Sequence, residues 1–569
     1  MTAALAPALA AHQAGRLDEA EALYRALLDA APDHPDALHL LGVVRHQRGD
    51  DETAVALIGR AIGLRGDNYK YHYNLGAALQ ALGRFNEALE RYRSAAALAP
   101  EVAAVRRALA HLLHSLGRPA QAEAQFRAAL TLAPEDADAH AGLGATLHAL
   151  GRLEDAEDSI RSALDHRPDH APTLVNLGAV LHAQGRLDNA AACHRRAVAL
   201  EPALVPAHVN LGAVLQGMGR MADAVKCYRQ ALTLSPADAT AHFNLGTAVQ
   251  AVGWLDEAVR CYRDALSLWP GYAEAYNNLG QVLEDKGQLL EAVAAFRRAC
   301  ALRPERATFH NSLACCLYLL YRRDPPSARA EAARWLADHP DQPVARHMAR
   351  ALAGDAAPPP AQPAAGYVRS LFDGFAPSFD HELLAIGYCG PELMAAAFAK
   401  VVPVPAGDLA VLDAGCGTGL CAPVLRPWAR SLTGVDVSPR MLEYAYRRGL
   451  YDSLECADLA AYLPEHPAAF DLIAVADVLC YLGDLAPVVA GLAAALRPGG
   501  ALAFTAEQAP DPAEPYRLAA HGRYLHGEAP LRALLERHGL AVAGLHVANL
   551  RDEDGQPSPT LVVLATKLR

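Results

Sequence analysis

Basic residues are in the minority: 51 Lys and Arg stand against 63 Asp and Glu, a formal net charge of −12. That balance excludes nucleic acid as the main partner, because neutralising a phosphate backbone takes a basic surface. Long apolar runs are missing as well. No stretch of 18 apolar residues lacks a charge, so no membrane-spanning helix is expected. The first twenty residues, MTAALAPALAAHQAGRLDEA, put no basic segment ahead of an apolar one, and no signal peptide is read from them. Cysteine is sparse and shows no disulfide framework. Cys193, Cys227 and Cys261 recur at one spacing of 34 and so occupy one repeat position, while Cys315 and Cys316 are adjacent; reduced thiols in a cytoplasmic protein are the reading. There is no G-K-[ST], hence no P-loop. His381-Glu382 begins like H-E-x-x-H, but Ala385 stands where the second histidine belongs, so no metal site is expected.

At 569 residues the chain exceeds what one core fills, and two or more domains are expected. Its first part aligns with itself at a period of 34. Glycines fall at 15, 49, 83, 117, 151, 185, 219, 253 and 287, each followed five residues later by alanine, and prolines such as Pro202, Pro236, Pro270 and Pro304 close most units. Each unit reads as two antiparallel helices. Gly246 and Ala258 are small where the pair must approach closely, Gly253 makes the turn, and Pro270 stops the second helix. One pair cannot bury its apolar face alone, so the units stack. This pattern resembles the tetratricopeptide repeat family and implies an α-solenoid over residues 1–340. A tenth unit, 305–340, has Tyr321 for the turn glycine and Pro325-Pro326 as an interruption, and reads as a cap or junction.

Asparagine recurs two residues before the "LG" glycine, at Asn176, Asn210, Asn244 and Asn278, and earlier at Asn74. Tetratricopeptide superhelices place this position on the concave wall. The array resembles the asparagine ladder of O-GlcNAc transferases, which implies a protein or peptide partner bound through its backbone in that groove, since an amide donates and accepts together. The alternative is a solvent-facing helical site that asparagine merely suits. Histidines at His72, His140, His208, His242 and His310 are read as core residues rather than ligands.

Residues 341–366 read as a Pro/Ala-rich linker, with four prolines in AGDAAPPPAQPAAG (353–366). From 367 to 569 strands and helices alternate, as in an α/β domain with a mostly parallel seven-stranded sheet covered on both faces. Strands are expected at 409–415, 432–438, 454–456, 470–479, 500–507, 541–548 and 560–566, with helices at 420–432, 439–450, 485–496 and 528–539. VLDAGCGTGL (411–420) puts Gly415, Gly417 and Gly419 where the first strand hands over to its helix. Bare backbone there lets a ligand approach. Asp436, 19 residues beyond Gly417, ends the second strand, where a carboxylate can accept both hydroxyls of a ribose.

With Asp458 after strand three, Asp477 at strand four and LRPGG (496–500) before strand five, the region resembles the Rossmann-like S-adenosylmethionine-dependent methyltransferases over 367–569. The resemblance implies S-adenosyl-L-methionine as cofactor. Asp413 and the three glycines would lie along its methionine part, Asp436 would hold the ribose, Val437 would pack on the adenine, and Asp458 would accept from the adenine amino group with Leu459 beside it. For Asp413 the alternative is a turn cap, and for Val437 a core position. The segment 367–394, with Phe372, Phe375 and Phe379 at helical spacing, resembles the lid of bacterial methyltransferases fused to tetratricopeptide repeats.

Candidates for proton transfer to or from the acceptor are Asp477, His521 and His526, with Tyr524 in the same HGRYLHGE cluster and His381 in the segment 367–394. The base-methylating signature, D/N-P-P-aromatic, is absent after strand four; Asp324-Pro-Pro-Ser327 lacks the aromatic and precedes the domain. Three functions are open on the residues alone. One is methyl transfer with the repeats recruiting a protein partner or substrate. A second is methyl transfer to a small metabolite or glycan precursor, with the repeats used for assembly. The third is a non-enzymatic adaptor on a degenerate methyltransferase fold. The acceptor atom, the pathway and the oligomeric state are not readable from the residues.

Overall fold

The computed structural model describes residues 2–354, 360–363, 366–553 and 556–568; of the expected linker, residues 355–359 and 364–365 lie outside the described residues. The chain divides into two compact units, Met1–Gly253 and Trp254–Arg569.

The first unit is helical, running from α1 (Thr2–Gln13) and α2 (Leu17–Ala30) to α13 (Val205–Gly217), α14 (Met221–Leu234) and α15 (Ala239–Ala251). Two glycines per repeat do different work. The turn glycine is left-handed, as at Gly219 (φ 74°), where a Cβ would touch nothing within 4 Å; the constraint is backbone geometry alone. The "LG" glycine is helical and tight: a Cβ on Gly212 would come within 2.6 Å of the Tyr228 ring. The repeat histidines are only partly core. His72 and His208 are buried, His140 and His242 are not. Each points its Nε2 at the backbone carbonyl six residues back (Gly66, Pro134, Pro202 and Pro236 at 2.8–3.0 Å), satisfying an acceptor in the loop that closes the preceding repeat.

The second unit opens with further helices, α16 (Leu255–Leu268), α17 (Ala273–Asp285), α18 (Leu289–Leu302), α19 (Ala307–Arg323), α20 (Pro325–Asp338) and α21 (Pro343–Ala353). Pro325 and Pro326 do not interrupt a helix. They occupy the first turn of α20, where a missing N–H costs nothing, and the Asp324 carboxylate caps that turn at the Ser327 N–H (3.2 Å). Helix α21 fills the front of the stretch assigned to the linker, and Ala361 within it accepts from the Asp484 N–H at 2.7 Å.

Then come α22 (Tyr367–Phe375), α23 (Phe379–Ala385) and α24 (Gly390–Phe398), and the sheet: β1 (Leu409–Ala414), β2 (Ala429–Asp436), β3 (Ser453–Cys456), β4 (Phe470–Val475), β5 (Leu496–Glu507), β8 (Leu540–Glu553) and β9 (Gln556–Lys567). Strand order is β3-β2-β1-β4-β5-β9-β8; β1 to β5 are parallel and β9 is antiparallel to both neighbours. The helix expected over 420–432 shrinks to α25 (Ala422–Leu425) and a 3-10 turn, because Pro427 prevents continuation and β2 starts at Ala429. A hairpin that the pattern did not suggest, β6 (Tyr516–Leu518) with β7 (Tyr524–His526), lies between β5 and α29 (Glu528–Arg537). Both sheet faces are covered. Leu412, Ile473 and Leu502 pack with α28 (Ala486–Ala495) and α29, and their neighbours Val411, Leu472 and Ala503 pack with α24 and Trp428. The chain winds outward from β1 and β4, which leaves a crevice beyond their carboxyl ends.

Candidate active site

That crevice is a cavity of about 940 Å³. Its floor is the corner after β1, where Gly415, Gly417 and Gly419 all adopt left-handed φ (76°, 54° and 86°). The three are not equivalent. A Cβ on Gly415 would strike Val478 at 2.3 Å, and one on Gly419 would meet Tyr451 and Arg448 at 3.0–3.1 Å. One on Gly417 would stand in open cavity, its nearest neighbour the Phe379 ring at 3.8 Å. Gly417 is thus the point at which bare backbone faces ligand space, and Gly419 packs away from it.

Asp436 is braced from two sides. Its carboxylate accepts the Gly417 N–H (2.9 Å) and the Ser438 N–H (2.8 Å), and Ser438 in turn caps α26 (Pro439–Arg448). Burial raises its pKa while those backbone bonds oppose the rise. Asp413, 2% exposed, accepts the Tyr451 hydroxyl at 2.6 Å; desolvation lifts its pKa to about 7. Val437, Asp458 and Leu459 line the cavity, with the Asp458 carboxylate capping the short helix α27 (Leu459–Tyr462) at the Ala460 N–H (2.8 Å). The expected cofactor residues, Gly419 excepted, are therefore brought together at the cavity from three strand ends.

The proton-transfer candidates are not. Asp477 lines the cavity in a left-handed turn (φ 57°), its N–H donating to Thr505 Oγ1 at 2.7 Å. Desolvation raises its pKa, and Arg551, paired with its carboxylate, opposes this. His526 is 2% exposed, outside the cavity lining, with Nε2 toward the Leu479 carbonyl at 3.3 Å. His521 is also outside it, 3.6 Å from Glu507. His381 is exposed on α23.

Two features had no signal in the residue pattern, and a third, an aromatic wall, was signalled only by Phe372 and Phe379 and not by Tyr481. Arg551 bridges half-buried Asp477 and buried Glu507 (2.6 Å to the latter), and Glu507 also takes Arg523 at 2.5 Å, so the acids at the cavity edge are paired with cations. Helices α22 and α23 latch to the glycine corner and to α26: Ser438 Oγ donates to Asp373 (2.6 Å), and Thr418 Oγ1 and Arg448 both donate to Asp380 (2.5 Å). Phe372 sits edge-on to Phe379 and to Tyr481, centroids 5.9 and 5.1 Å apart, making an aromatic wall. Among the described residues no His, Cys, Asp and Glu group is disposed to hold a metal, and no helix is long and apolar enough to cross a membrane.

In the repeats, the side chains of Asn176, Asn210 and Asn244 are half-buried. Asn74 meets His39 at 2.8 Å, and in the second unit Asn278 Nδ2 points at the Tyr262 hydroxyl at 3.5 Å.

Comparison with known proteins finds two kinds of family along the chain. A methyltransferase domain family matches residues 412–504, and tetratricopeptide repeat families match 11–79, 69–135, 113–180, 178–219, 204–271 and 237–305. The human Methyltransferase-like protein 27 is 36% identical over 111 residues, 19% of this chain and 45% of that one. The ubiquinone biosynthesis O-methyltransferase of Xylella fastidiosa is 34% identical over 103 residues, 17% of this chain and 42% of that one. In both, the chain spans less than half the relative's length. A tetratricopeptide repeat protein structure from Parabacteroides merdae is 16% identical and covers 44% of this chain and 98% of its own, with a TM-score of 0.38.

Proposed function

Starting from a chain that carries tetratricopeptide repeats followed by a methyltransferase domain, we propose that it is a cytoplasmic S-adenosylmethionine-dependent methyltransferase whose repeats recruit a protein partner or substrate. The observation that carries the reading is the corner at Gly417, where backbone without a side chain borders the cavity and its N–H is held by Asp436. The cofactor, when bound, supplies an electrophilic methyl on sulfonium; the chain's task is alignment and exclusion of water. Asp436, fixed by two backbone N–H groups, would accept the ribose hydroxyls. Asp413 and the glycine backbone would meet the amino-acid end, Val437 and Leu459 would flank the adenine, and Asp458 would accept from its amino group. Asp477, the one proton-transfer candidate on the cavity wall, would take a proton from an O–H or N–H acceptor.

A small-molecule acceptor is the second reading. It is favoured by the aromatic wall of Phe372, Phe379 and Tyr481 over the cavity.

Calorimetry on the full chain should find one S-adenosylmethionine site, weakened about tenfold or more by Asp436→Ala, as expected for losing hydrogen bonds to a charged group. No binding heat from the wild type would sink the reading. The acceptor is decided by labelled methyl transfer in the full chain carrying Asn176→Ala, Asn210→Ala and Asn244→Ala together. Lost transfer to proteins supports recruitment through the repeats, and undiminished transfer to small acceptors supports the second reading.

A further inference from the structure

Helix α22 lines the cavity through Tyr367, Leu371 and Phe372, and it is docked on helices that precede the methyltransferase domain. Asn311 of α19, 3% exposed, donates from Nδ2 to the Leu371 carbonyl at 3.0 Å. Gly374, also on α22, lies so close that a Cβ would come within 2.4 Å of the same Asn311 nitrogen. His347 of α21, 2% exposed, stacks on the Tyr367 ring with centroids 3.7 Å apart. Its Nε2–H donates at 2.8 Å to the carbonyl of Gly522, the residue before cavity-lining Arg523. Gly522 is itself confined: a Cβ would meet Met348 Sδ at 2.9 Å and the Tyr367 hydroxyl at 3.0 Å.

We propose that Asn311 and His347 are positioning residues for the cavity. Asn311 sets α22 over it, and His347 ties the start of α22 to the β6–β7 turn that carries Arg523. Two walls of the site thus depend on α19 and α21. The contacts are short and almost fully buried, and breaking them would leave the Asn311 Nδ2 donor and the His347 Nε2–H unpaired, so they hold one arrangement rather than several. The proposal rests on the functional reading only in taking this cavity as the S-adenosylmethionine site.

Hydrogen–deuterium exchange on the full chain tests it without any ligand. Asn311→Asp keeps the size and removes the donor; peptides over 367–379 should exchange about tenfold faster, as for one lost buried hydrogen bond. His347→Phe keeps the stacked ring and should speed 516–526 in the same way. Peptides from β1, β4 and β5 should keep wild-type rates in both. Gly374→Ala crowds the same amide from the lid side, so it should match Asn311→Asp, and the double variant should go no further. Wild-type rates in the two windows, acceleration spread evenly over the sheet, or additive effects in the double variant would each overturn the proposal. Failure of the wild type to bind S-adenosylmethionine would refute the functional reading instead, with the exchange pattern still deciding this one.

Discussion

Beneath the glycine corner, Asp413 is lifted to a pKa of about 7 by desolvation, with the Tyr451 hydroxyl pulling down and Asp436 pushing up. The unfolded chain ionises an aspartate near the ordinary value of about 4. Between these values the folded state holds a proton that the unfolded state lacks, so this group's contribution to stability falls as pH rises from about 4 to about 7 and is level above. Urea denaturation should show wild type losing stability relative to Asp413→Asn across that window; parallel curves would show that the buried carboxyl is not titrating. If Asp413 meets the ammonium of S-adenosylmethionine, binding selects its ionised form. Affinity should then climb by up to about tenfold per pH unit toward pH 7 and flatten beyond, and in Asp413→Asn it should not climb. Arg551 shows the other side of the residue scale. It neutralises Asp477 from 74 positions away, and no local pattern announces such a pair.

Within an element, the same nominal substitution has two mechanisms. Gly219→Ala places an L-residue at φ 74° and should cost about 1–2 kcal/mol, partly recovered by Asn, which tolerates that conformation. Gly212→Ala adds a methyl 2.6 Å from Tyr228 and should cost about 1–3 kcal/mol through overpacking. Here Asn makes matters worse and a smaller residue at 228 helps. Chemical denaturation of the four variants separates the cases; equal rescue by Asn at both sites would contradict the assignment. The period of 34 exposed both glycines because each recurs. The repeat unit also gave one the turn and the other the close approach of the helices; what it could not name is the neighbour that the second one meets, Tyr228 at Gly212.

At the scale of the whole molecule, the second unit begins at Trp254, well before the α/β pattern starts. Helices α19 and α21 belong to it, and they supply Asn311 and His347 beneath the cavity walls. A fragment of residues 254–569 should therefore melt cooperatively and keep the ligand affinity of the full chain. A fragment of residues 367–569 should melt about 5 °C or more lower, the effect of losing one or two kcal/mol of packing in a domain of that size. Identical melts would show that the helices before residue 367 contribute nothing to the site. Helix α21 was half legible: Val344, His347, Met348, Ala351 and Leu352 follow a helical period, and all are buried. The same residues cannot say what buries them, so the proline-rich stretch beyond them was the stronger local signal.

Local backbone chemistry carried the reading as far as it went. Left-handed glycines, helix-stopping prolines and alternating apolar strands are constraints within a few residues, so the repeats, the parallel sheet and the corner at Gly415–Gly419 were determined by the sequence alone. Pairings between distant segments were decided only when the chain folded. Leu371 meets Asn311 across 60 positions, Asp477 meets Arg551 across 74, and His526 turned away from the cavity while Arg523 entered it. Such contacts are set by which faces the packed sheet and helices bring together, and a side chain's neighbours in sequence hold no record of that.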